Sequence, residues 1–199
     1  MVATNSQMLS LGTKAPYFNL QDSISGEYVS RIEKNLAKGC LVAFICNHCP
    51  YVIHLIKHFA ENVNPLIREG LCAYAISSND IGKYPLDSPE KMKLLAHTNH
   101  FNFPYLHDKT QEVAISYSAS CTPDFFLFDA NLKLFYRGRY DESRPGSNKP
   151  VDGKDLLHAT EMLLEGQPPP LKQSPSIGCN IISLDSFLRI TNKLQDAKL

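Results

Sequence analysis

The chain has 199 residues, enough for one full-sized domain and too few for two of ordinary size. Hydrophobic residues make up 43% of it, and its 20 basic and 20 acidic side chains cancel. This balance argues against nucleic acid or an anionic membrane as the main partner. The apolar runs are far shorter than the ~20 residues of a membrane span, and the N-terminus lacks the pattern of a secretory signal. We therefore expect a cytoplasmic protein.

The first half of the chain predicts a hairpin followed by a strand–helix–strand unit. Residues 18–20 and 27–30 flank a polar turn and predict the hairpin. The continuous apolar run 41–45 predicts a strand that is buried on both faces. Apolar residues recur at steps of three and four over 52–67, which predicts a helix, and 71–77 predicts a second strand. This order is typical of a parallel sheet with a right-handed crossover.

The second half continues the alternation of helices and strands. Its predicted elements are a helix from residue 89, a strand at 103–106, a short helix at 110–117, a hairpin of 124–128 with 132–136, and an amphipathic helix at 154–164. We therefore predict an α/β domain over 1–166, with a central mixed sheet flanked by helices. Prolines at 168–170 then begin a tail, 167–199, which carries Cys179 and a predicted short helix at 187–194.

A Cys-x-x-Cys motif directly follows the first buried strand. Cys46 and Cys49 stand at the start of the predicted helix, with His48 between them and Pro50 after them. The N–H groups and partial positive charge of a helix N-terminus stabilise a thiolate, which is the nucleophile in disulfide exchange. A protonated His48 would lower the pKa of a neighbouring thiol further. The spacing and its place after a strand favour a redox-active cysteine pair.

A zinc site is the alternative interpretation of these cysteines, because His48, His54 and His58 lie nearby. Structural zinc sites usually need a second Cys-x-x-Cys or histidine pair downstream, and none follows at a suitable spacing. We therefore expect neither a metal nor an organic cofactor. His54 and His58 are expected on a solvated helix face, and a metal-binding or otherwise non-catalytic module stays open as a different class of function.

The segment Cys121-Thr122-Pro123-Asp124 precedes the second predicted hairpin. With this segment the chain resembles the thioredoxin superfamily over about residues 10–165, which implies a thioredoxin-like fold. The resemblance implies a cis peptide bond between Thr122 and Pro123, a conformation largely confined to proline. It also implies that the Thr122 backbone receives a substrate strand and that Pro123 keeps metal away from the thiolates.

Further segments are similar to the branch of that superfamily that contains peroxiredoxins and alkyl hydroperoxide reductase-type proteins. They include Asp-x-Thr-x-Glu at 108–112, and residues 44–52, 122–129, 144–146 and 176–181, which resemble a bacterial group of redoxin-domain proteins. The peroxiredoxin pattern has a threonine three positions before the attacking cysteine and an arginine before the later strand. Here Cys46 takes the threonine position, and residues 121–123 occupy the stretch of the arginine. Without that donor a peroxide transition state loses electrostatic stabilisation.

We therefore expect a thiol–disulfide oxidoreductase that acts on a disulfide substrate and draws electrons from an external dithiol system, such as thioredoxin or glutathione. In this interpretation Cys46 attacks and Cys49 resolves. The enzyme alternative is an antioxidant thiol peroxidase that acts on a peroxide, in which the two roles are reversed. The sequence does not indicate an oligomeric state.

The other cysteines and the arginines receive separate interpretations. Cys121 is either a further redox thiol or a filler, and Cys179 would resolve Cys46 or Cys49 if the tail folds back. Cys40 and Cys72 are expected as small buried hydrophobes. The basic residues of the region after the second hairpin, Arg137, Arg139 and Arg144, are expected on the surface.

Overall fold

The helices and strands alternate along the chain much as their sequence patterns predict. The computed structural model describes residues 3–34 and 36–181. The strands are β1 (Ala3–Asn5), β2 (Asn19–Asp22), β3 (Tyr28–Ser30), β4 (Gly39–Phe44), β5 (Leu71–Ser77), β6 (Tyr105–His107), β7 (Cys121–Thr122), β8 (Asp124–Asp129), β9 (Leu134–Gly138) and β10 (Ile177–Asn180). The helices are α1 (Pro50–Arg68), α2 (Pro89–Thr98), α3 (Glu112–Ser116) and α4 (Lys154–Leu164), with a 3-10 turn at Pro85–Asp87.

The central sheet has seven strands in the order β3-β2-β6-β5-β4-β8-β9. Strand β4 runs parallel to β5 and antiparallel to β8, and β5 runs parallel to β6. The hairpins β2–β3 and β8–β9 are antiparallel, as their turns predict. All six residues of β4 are buried, which accounts for its continuous apolar sequence. The prediction of a mixed α/β sheet flanked by helices is confirmed.

Alternate residues of β4 face two separate hydrophobic layers, because successive side chains of a strand point to opposite faces. Leu41 and Ala43 belong to the layer that contains the buried residues of α1 and α4. Val42 and Phe44 belong to the layer on the other face, together with the buried residues of α3. The sheet therefore lies between two apolar layers. Helix α1, which follows β4, packs in the layer that contains Leu41 and Ala43.

Helix α1 forms because its apolar residues repeat along one face, where Val52, Leu55, Phe59 and Val63 are buried. The helix ends before Gly70, which has a φ of 106°, a conformation that glycine adopts without steric cost. Among the described residues no helix is long and apolar enough to cross a membrane.

A second sheet, β1-β10-β7, is not predicted by the sequence. Its strands are two to four residues long, which is too short for a periodic pattern to be recognised in the sequence. They are held by pairing between distant parts of the chain: Cys179 lies opposite Ala3 on one side and opposite Thr122 on the other. The start of the tail therefore returns to the sheet. The helix predicted at 187–194 lies outside the described residues, and the domain division at 166 stays a prediction.

Candidate active site

The loop after β4 places both cysteines of the Cys-x-x-Cys motif at the N-terminus of α1. Cys49 is the N-cap residue, and its carbonyl oxygen accepts hydrogen bonds from the backbone N–H groups of Val52 and Ile53. Pro50 is the first helical residue, where its missing N–H group costs no helical hydrogen bond. Neither Cys46 nor Cys49 exposes any surface to solvent. The two thiols therefore lie at the positive end of the helix, inside the protein.

Thr122 contacts both of these sulfur atoms from the opposite side. The Sγ of Cys46 lies 3.3 Å from the Thr122 Oγ1, and the Sγ of Cys49 lies 3.1 Å from the Thr122 carbonyl oxygen. The peptide bond between Thr122 and Pro123 is cis, as the resemblance to the thioredoxin superfamily implies. The predicted site residues Cys46, Cys49, Thr122 and Pro123 are thus brought together.

Strand β10 brings Cys179 to the same place. The Sγ atoms of Cys49 and Cys179 are 2.7 Å apart, and Cys179 is 4% exposed. Cys121 is also buried, but its thiol donates to the Pro123 carbonyl oxygen at 3.7 Å and does not contact another thiol. All six cysteines of the chain are free thiols in the structure. Cys49 therefore stands between two further thiols, those of Cys46 and Cys179.

The three neighbouring thiols differ in acidity. The hydrogen bond with Cys46 is the main cause that lowers the pKa of Cys49 to about 5, against the opposing effect of burial. The same hydrogen bond raises the pKa of Cys46 well above its ordinary value, with burial and the negative charge of Asp87 adding to it. Burial and the contact with Cys49 raise the pKa of Cys179 to about 12. This arrangement favours a thiolate on Cys49 between two protonated thiols.

His48 is oriented by Asp87, a residue that the sequence does not single out. The His48 Nδ1 lies 2.6 Å from the Asp87 Oδ2. The imidazole ring of His48 stacks on the Tyr84 ring, with the ring centroids 4.2 Å apart. The other carboxylate oxygen of Asp87 accepts the backbone N–H of Asn47 at 2.7 Å, and Asp87 is completely buried. The residues between the two cysteines are therefore fixed by Asp87, the last residue of the 3-10 turn. That turn is distant in sequence from the Cys-x-x-Cys motif, so the motif alone does not predict the contact.

Cys46, His48 and Asp87 are also a potential metal-binding group, since one ligand atom from each lies within 4.8 Å of the others. The His48 Nδ1 and Asp87 Oδ2 already satisfy each other. Structural zinc usually has four ligands, and the described part of the chain adds no fourth member to this group. Hydrogen bonding thus accounts for the contact between His48 and Asp87.

The expectation of a solvated helix face is wrong for two histidines of α1. The His54 Nε2 lies 3.1 Å from the Ser143 Oγ, and the His58 Nδ1 lies 2.8 Å from the Tyr140 hydroxyl. Both partners belong to the loop that follows β9. These histidines therefore connect the active-site helix to that loop.

The expectation of surface arginines is wrong for Arg137, which is completely buried. Its guanidinium donates to the Asp124 carboxylate at 3.1 Å and to the Ser118 carbonyl oxygen at 2.7 Å. The guanidinium also lies 4.4 Å from the centre of the Phe126 ring. Burial is tolerated because the charge is paired with an equally buried carboxylate directly after Pro123.

A groove opens beside Pro123. Its walls include Tyr51, His54, Arg144 and Ile177. Arg144 is held in place because its guanidinium donates to the carbonyl oxygens of nearby loop residues. Because Pro123 and Ile177 line it, the groove borders the Thr122–Pro123 segment and strand β10.

The remaining cysteines form a separate pair on the opposite face of the sheet. Cys40 is buried, as expected, whereas Cys72 is partly exposed. The two residues are direct partners in the parallel ladder of β4 and β5. The hydrogen bond from Cys40 is the main cause that lowers the pKa of Cys72 to about 7. This pair belongs to the other apolar layer and does not contact Cys49.

Two solved structures are similar to the whole chain. An uncharacterized conserved protein from Geobacillus kaustophilus is 46% identical, with 92% of this chain and 97% of that chain covered and a TM-score of 0.88. A hypothetical protein from Sinorhizobium meliloti 1021 is 40% identical, with 89% and 97% covered and a TM-score of 0.86. No curated protein matches the sequence.

A third similar structure identifies the fold, and a family model identifies the family. The thioredoxin domain of a thiol-disulfide oxidoreductase from Bacteroides vulgatus is 21% identical, covers 79% of this chain and 99% of that chain, and has a TM-score of 0.60. At that identity the likeness shows the fold, which is thioredoxin-like. The AhpC/TSA family model matches residues 11–137, well over half of the chain. The chain therefore belongs to the AhpC/TSA family.

Proposed function

We propose that this protein is a thiol–disulfide oxidoreductase in which the Cys49 thiolate attacks a substrate disulfide and Cys46 resolves the intermediate. The observation that carries the proposal is the position of Cys49 at the N-terminus of α1, in contact with a second thiol. The order of attack is the reverse of the one that the thioredoxin resemblance implies. We place the reaction in the cytoplasm, where external dithiols keep such a pair reduced.

The reaction consists of two exchanges that together move two electrons. The Cys49 thiolate attacks one sulfur of the substrate disulfide, and the other substrate sulfur leaves as a thiolate. The Cys46 thiol then attacks the Cys49 sulfur, which releases the second substrate sulfur. The Cys46 proton and a proton from solvent end on the two substrate sulfurs. The substrate is reduced to two thiols, the enzyme holds a Cys46–Cys49 disulfide, and an external dithiol reduces that bond again.

Reduction of a protein disulfide by the full chain, with dithiothreitol as the electron source, tests this proposal. Wild type is expected to accelerate the reduction of the disulfide. In Cys49→Ser the rate is expected to fall to that of the uncatalysed reaction. Cys46→Ser combined with Cys179→Ser is expected to accumulate a mixed disulfide between Cys49 and the substrate, because both thiols that contact Cys49 are then missing. Cys72→Ser, which changes a partly exposed thiol of the other layer, is the matched control and should retain the wild-type rate.

Two results would contradict the proposal. If Cys49→Ser retained the wild-type rate, Cys49 would not be the attacking residue. If wild type had no exchange activity but contained stoichiometric zinc, the chain would be a metal-binding module, with Cys46, His48 and Asp87 as its nearest ligand group.

A thiol peroxidase is the second candidate, because the lowered pKa of Cys49 would also suit attack on a peroxide. In the described part of the chain, however, no cationic side chain is joined to the Cys49 sulfur by a hydrogen bond or an ion pair. The developing charge on a peroxide oxygen would therefore lack its usual stabilising donor. Hydrogen peroxide is expected to oxidise Cys49 more slowly than a disulfide does, and the opposite order of rates would favour the peroxidase.

A further inference from the structure

We propose that Cys179 is a third redox thiol, which forms a reversible disulfide with Cys49 and is carried by a strand that occupies the edge where a substrate segment would pair. This inference rests on the proposed function, since it concerns the same reactive sulfur. It adds an internal partner to the Cys-x-x-Cys pair and assigns a role to the start of the tail.

The first support is the position of the sulfur atoms. The Sγ of Cys179 lies 2.7 Å from the Sγ of Cys49, so no side-chain rearrangement is needed to bring the reacting atoms together. Cys121 belongs to the neighbouring strand, yet its thiol is directed to the Pro123 carbonyl oxygen. Of the two buried cysteines on the paired strands β7 and β10, Cys179 contacts Cys49 and Cys121 does not.

The second support is the backbone of β10, which is paired with β7. Cys179 lies opposite Thr122 in an antiparallel ladder, and Asn180 lies opposite Cys121. A Cβ atom at Gly178 would lie 1.9 Å from the Thr122 carbonyl oxygen, far inside van der Waals contact. Glycine is therefore required just before Cys179 for the strand to approach this closely.

The third support is the way in which β10 is held. Before the strand, Ser176 pairs with Ser6 in both directions, and its hydroxyl donates to the Gly138 carbonyl oxygen at 2.6 Å. The ladder between β10 and β7 has two residue pairs, and just after the strand the backbone N–H of Ile181 donates to the Ser120 carbonyl oxygen at 3.2 Å. The pairing next to Cys49 is therefore short and is bounded by contacts on both sides, so separation of β10 from β7 is a local opening.

An extended peptide that paired with β7 in place of β10 would form the same kind of ladder. Its backbone would pair with Thr122, and a cysteine opposite Thr122 would lie beside Cys49, as Cys179 does. A protein disulfide on an extended segment is thus the substrate class that fits this edge. Such a segment must displace β10, because β10 and Cys179 cover Cys49.

The chemistry needs no reagent beyond those of the proposed function. When Cys46 and Cys49 are joined, the Cys179 thiol attacks the Cys49 sulfur and the Cys46 sulfur leaves. One disulfide is broken and one is formed, and the proton of Cys179 passes to Cys46, so no net oxidation occurs. Cys179 also resolves a mixed disulfide at Cys49 in the same way, and the leaving substrate sulfur takes its proton.

Mapping of the disulfides in the full chain tests the proposal. The protein is oxidised with glutathione disulfide, quenched with acid, alkylated and analysed by peptide mass. A Cys49–Cys179 bridge is expected in wild type and in Cys46→Ser, where it should account for most of the oxidised protein. Cys72→Ser is the control and should give the wild-type pattern. A Cys179 that is fully alkylated in both wild type and Cys46→Ser would overturn the proposal.

A second variant tests the strand without changing any sulfur. Gly178→Ala places a Cβ against the Thr122 carbonyl oxygen and should separate β10 from β7. We expect alkylation of Cys49 by iodoacetamide to become about tenfold faster, because access controls thiol reactivity, and the Cys49–Cys179 bridge to decrease. Gly82→Ala, a change in an exposed loop, is the control. An unchanged alkylation rate and an unchanged bridge in Gly178→Ala would contradict the role of β10.

The two proposals fail in different ways. If wild type reduces protein disulfides but never forms the Cys49–Cys179 bridge, the proposed function stands and the inference about Cys179 is wrong. If the bridge forms but wild type reduces no protein disulfide, Cys179 is a redox thiol and the proposed function is wrong.

Discussion

Asp87 holds His48 at a distance of 2.6 Å, although the two residues belong to different parts of the chain. The carboxylate also accepts the backbone N–H of Asn47, so it fixes two consecutive residues between the cysteines. Asp87 thereby links the loop after β5 to the Cys-x-x-Cys loop, and its negative charge contributes to the raised pKa of Cys46.

Removal of the Asp87 carboxylate is expected to destabilise the protein. Asp87→Ala leaves the Asn47 N–H and the His48 ring without their acceptor, and an unsatisfied buried donor costs about 1–3 kcal/mol. The free energy of unfolding, measured by urea denaturation, should decrease by that amount or more. Asp80→Ala, at an exposed position of the same loop, should change it by about 0.5 kcal/mol or less. Equal effects of the two substitutions would contradict this role of Asp87.

The pKa of Cys49, lowered to about 5, predicts how stability depends on pH. An unfolded cysteine titrates near ~8.5, so the unfolded chain binds the proton more tightly than the folded protein does. The stabilisation from Cys49 is therefore complete above ~8.5 and is lost as the pH falls towards 5.

The difference in unfolding free energy between wild type and Cys49→Ser isolates this effect. It should increase by up to ~1.4 kcal/mol per pH unit between pH ~6 and ~8. Below that window Asp124, whose pKa burial raises to about 6, acts in the opposite direction. The matched comparison of wild type with Cys49→Ser removes the effect of Cys72, which also titrates near this range. A difference that is constant with pH would show that Cys49 is not a thiolate at neutral pH.

The buried ion pair of Arg137 and Asp124 predicts a strongly non-additive pair of substitutions. Arg137→Leu leaves the Asp124 charge buried without its partner, and such changes cost about 3–5 kcal/mol. Because replacement of both charges by apolar groups removes the unpaired charge, Arg137→Leu with Asp124→Leu should regain most of that loss. Urea denaturation of the single and double variants measures the coupling. Lys133→Leu, an exposed basic residue of the same hairpin, is the control.

Loss of the Tyr140 hydroxyl is expected to lower the free energy of unfolding by a smaller amount. Its hydroxyl contacts the His58 Nδ1 at 2.8 Å, while its ring packs against Phe59 and Phe125. Tyr140→Phe keeps the ring and removes the hydroxyl, so it should cost about 0.5–1.5 kcal/mol. Tyr28→Phe, on an exposed edge strand, should have almost no effect on thermal stability. A neutral Tyr140→Phe would mean that the His58 contact does not stabilise the fold.

The sequence predicts best where one residue pattern determines both the element and its burial. Three elements can be recognised from local sequence alone: the continuous apolar run of β4, the helical repeat of α1 and the apolar strand β5. These elements lie where predicted. The Cys-x-x-Cys motif and the Thr122–Pro123 segment also meet, as the resemblance to the thioredoxin superfamily implies.

The features that are not predicted depend on contacts between distant residues. Strands β1 and β10 are too short to show a period, and they exist through pairing with each other and with β7. Asp87 has no motif around it, so its contact with His48 follows only from the fold. Arg137 has the residue type of a surface position, and its burial depends on the single carboxylate of Asp124.

The pairing of Ala3 with Cys179 also bears on how the protein is handled. An affinity tag placed directly before β1 would adjoin the strand that pairs with Cys179. Extra residues there would compete for the hydrogen bonds of β1 or shield the sulfur of Cys49 behind β10. Tag-free protein and a tagged preparation should therefore differ in the rate at which Cys49 is alkylated, whereas Cys72, on the opposite face of the central sheet, should react equally in both.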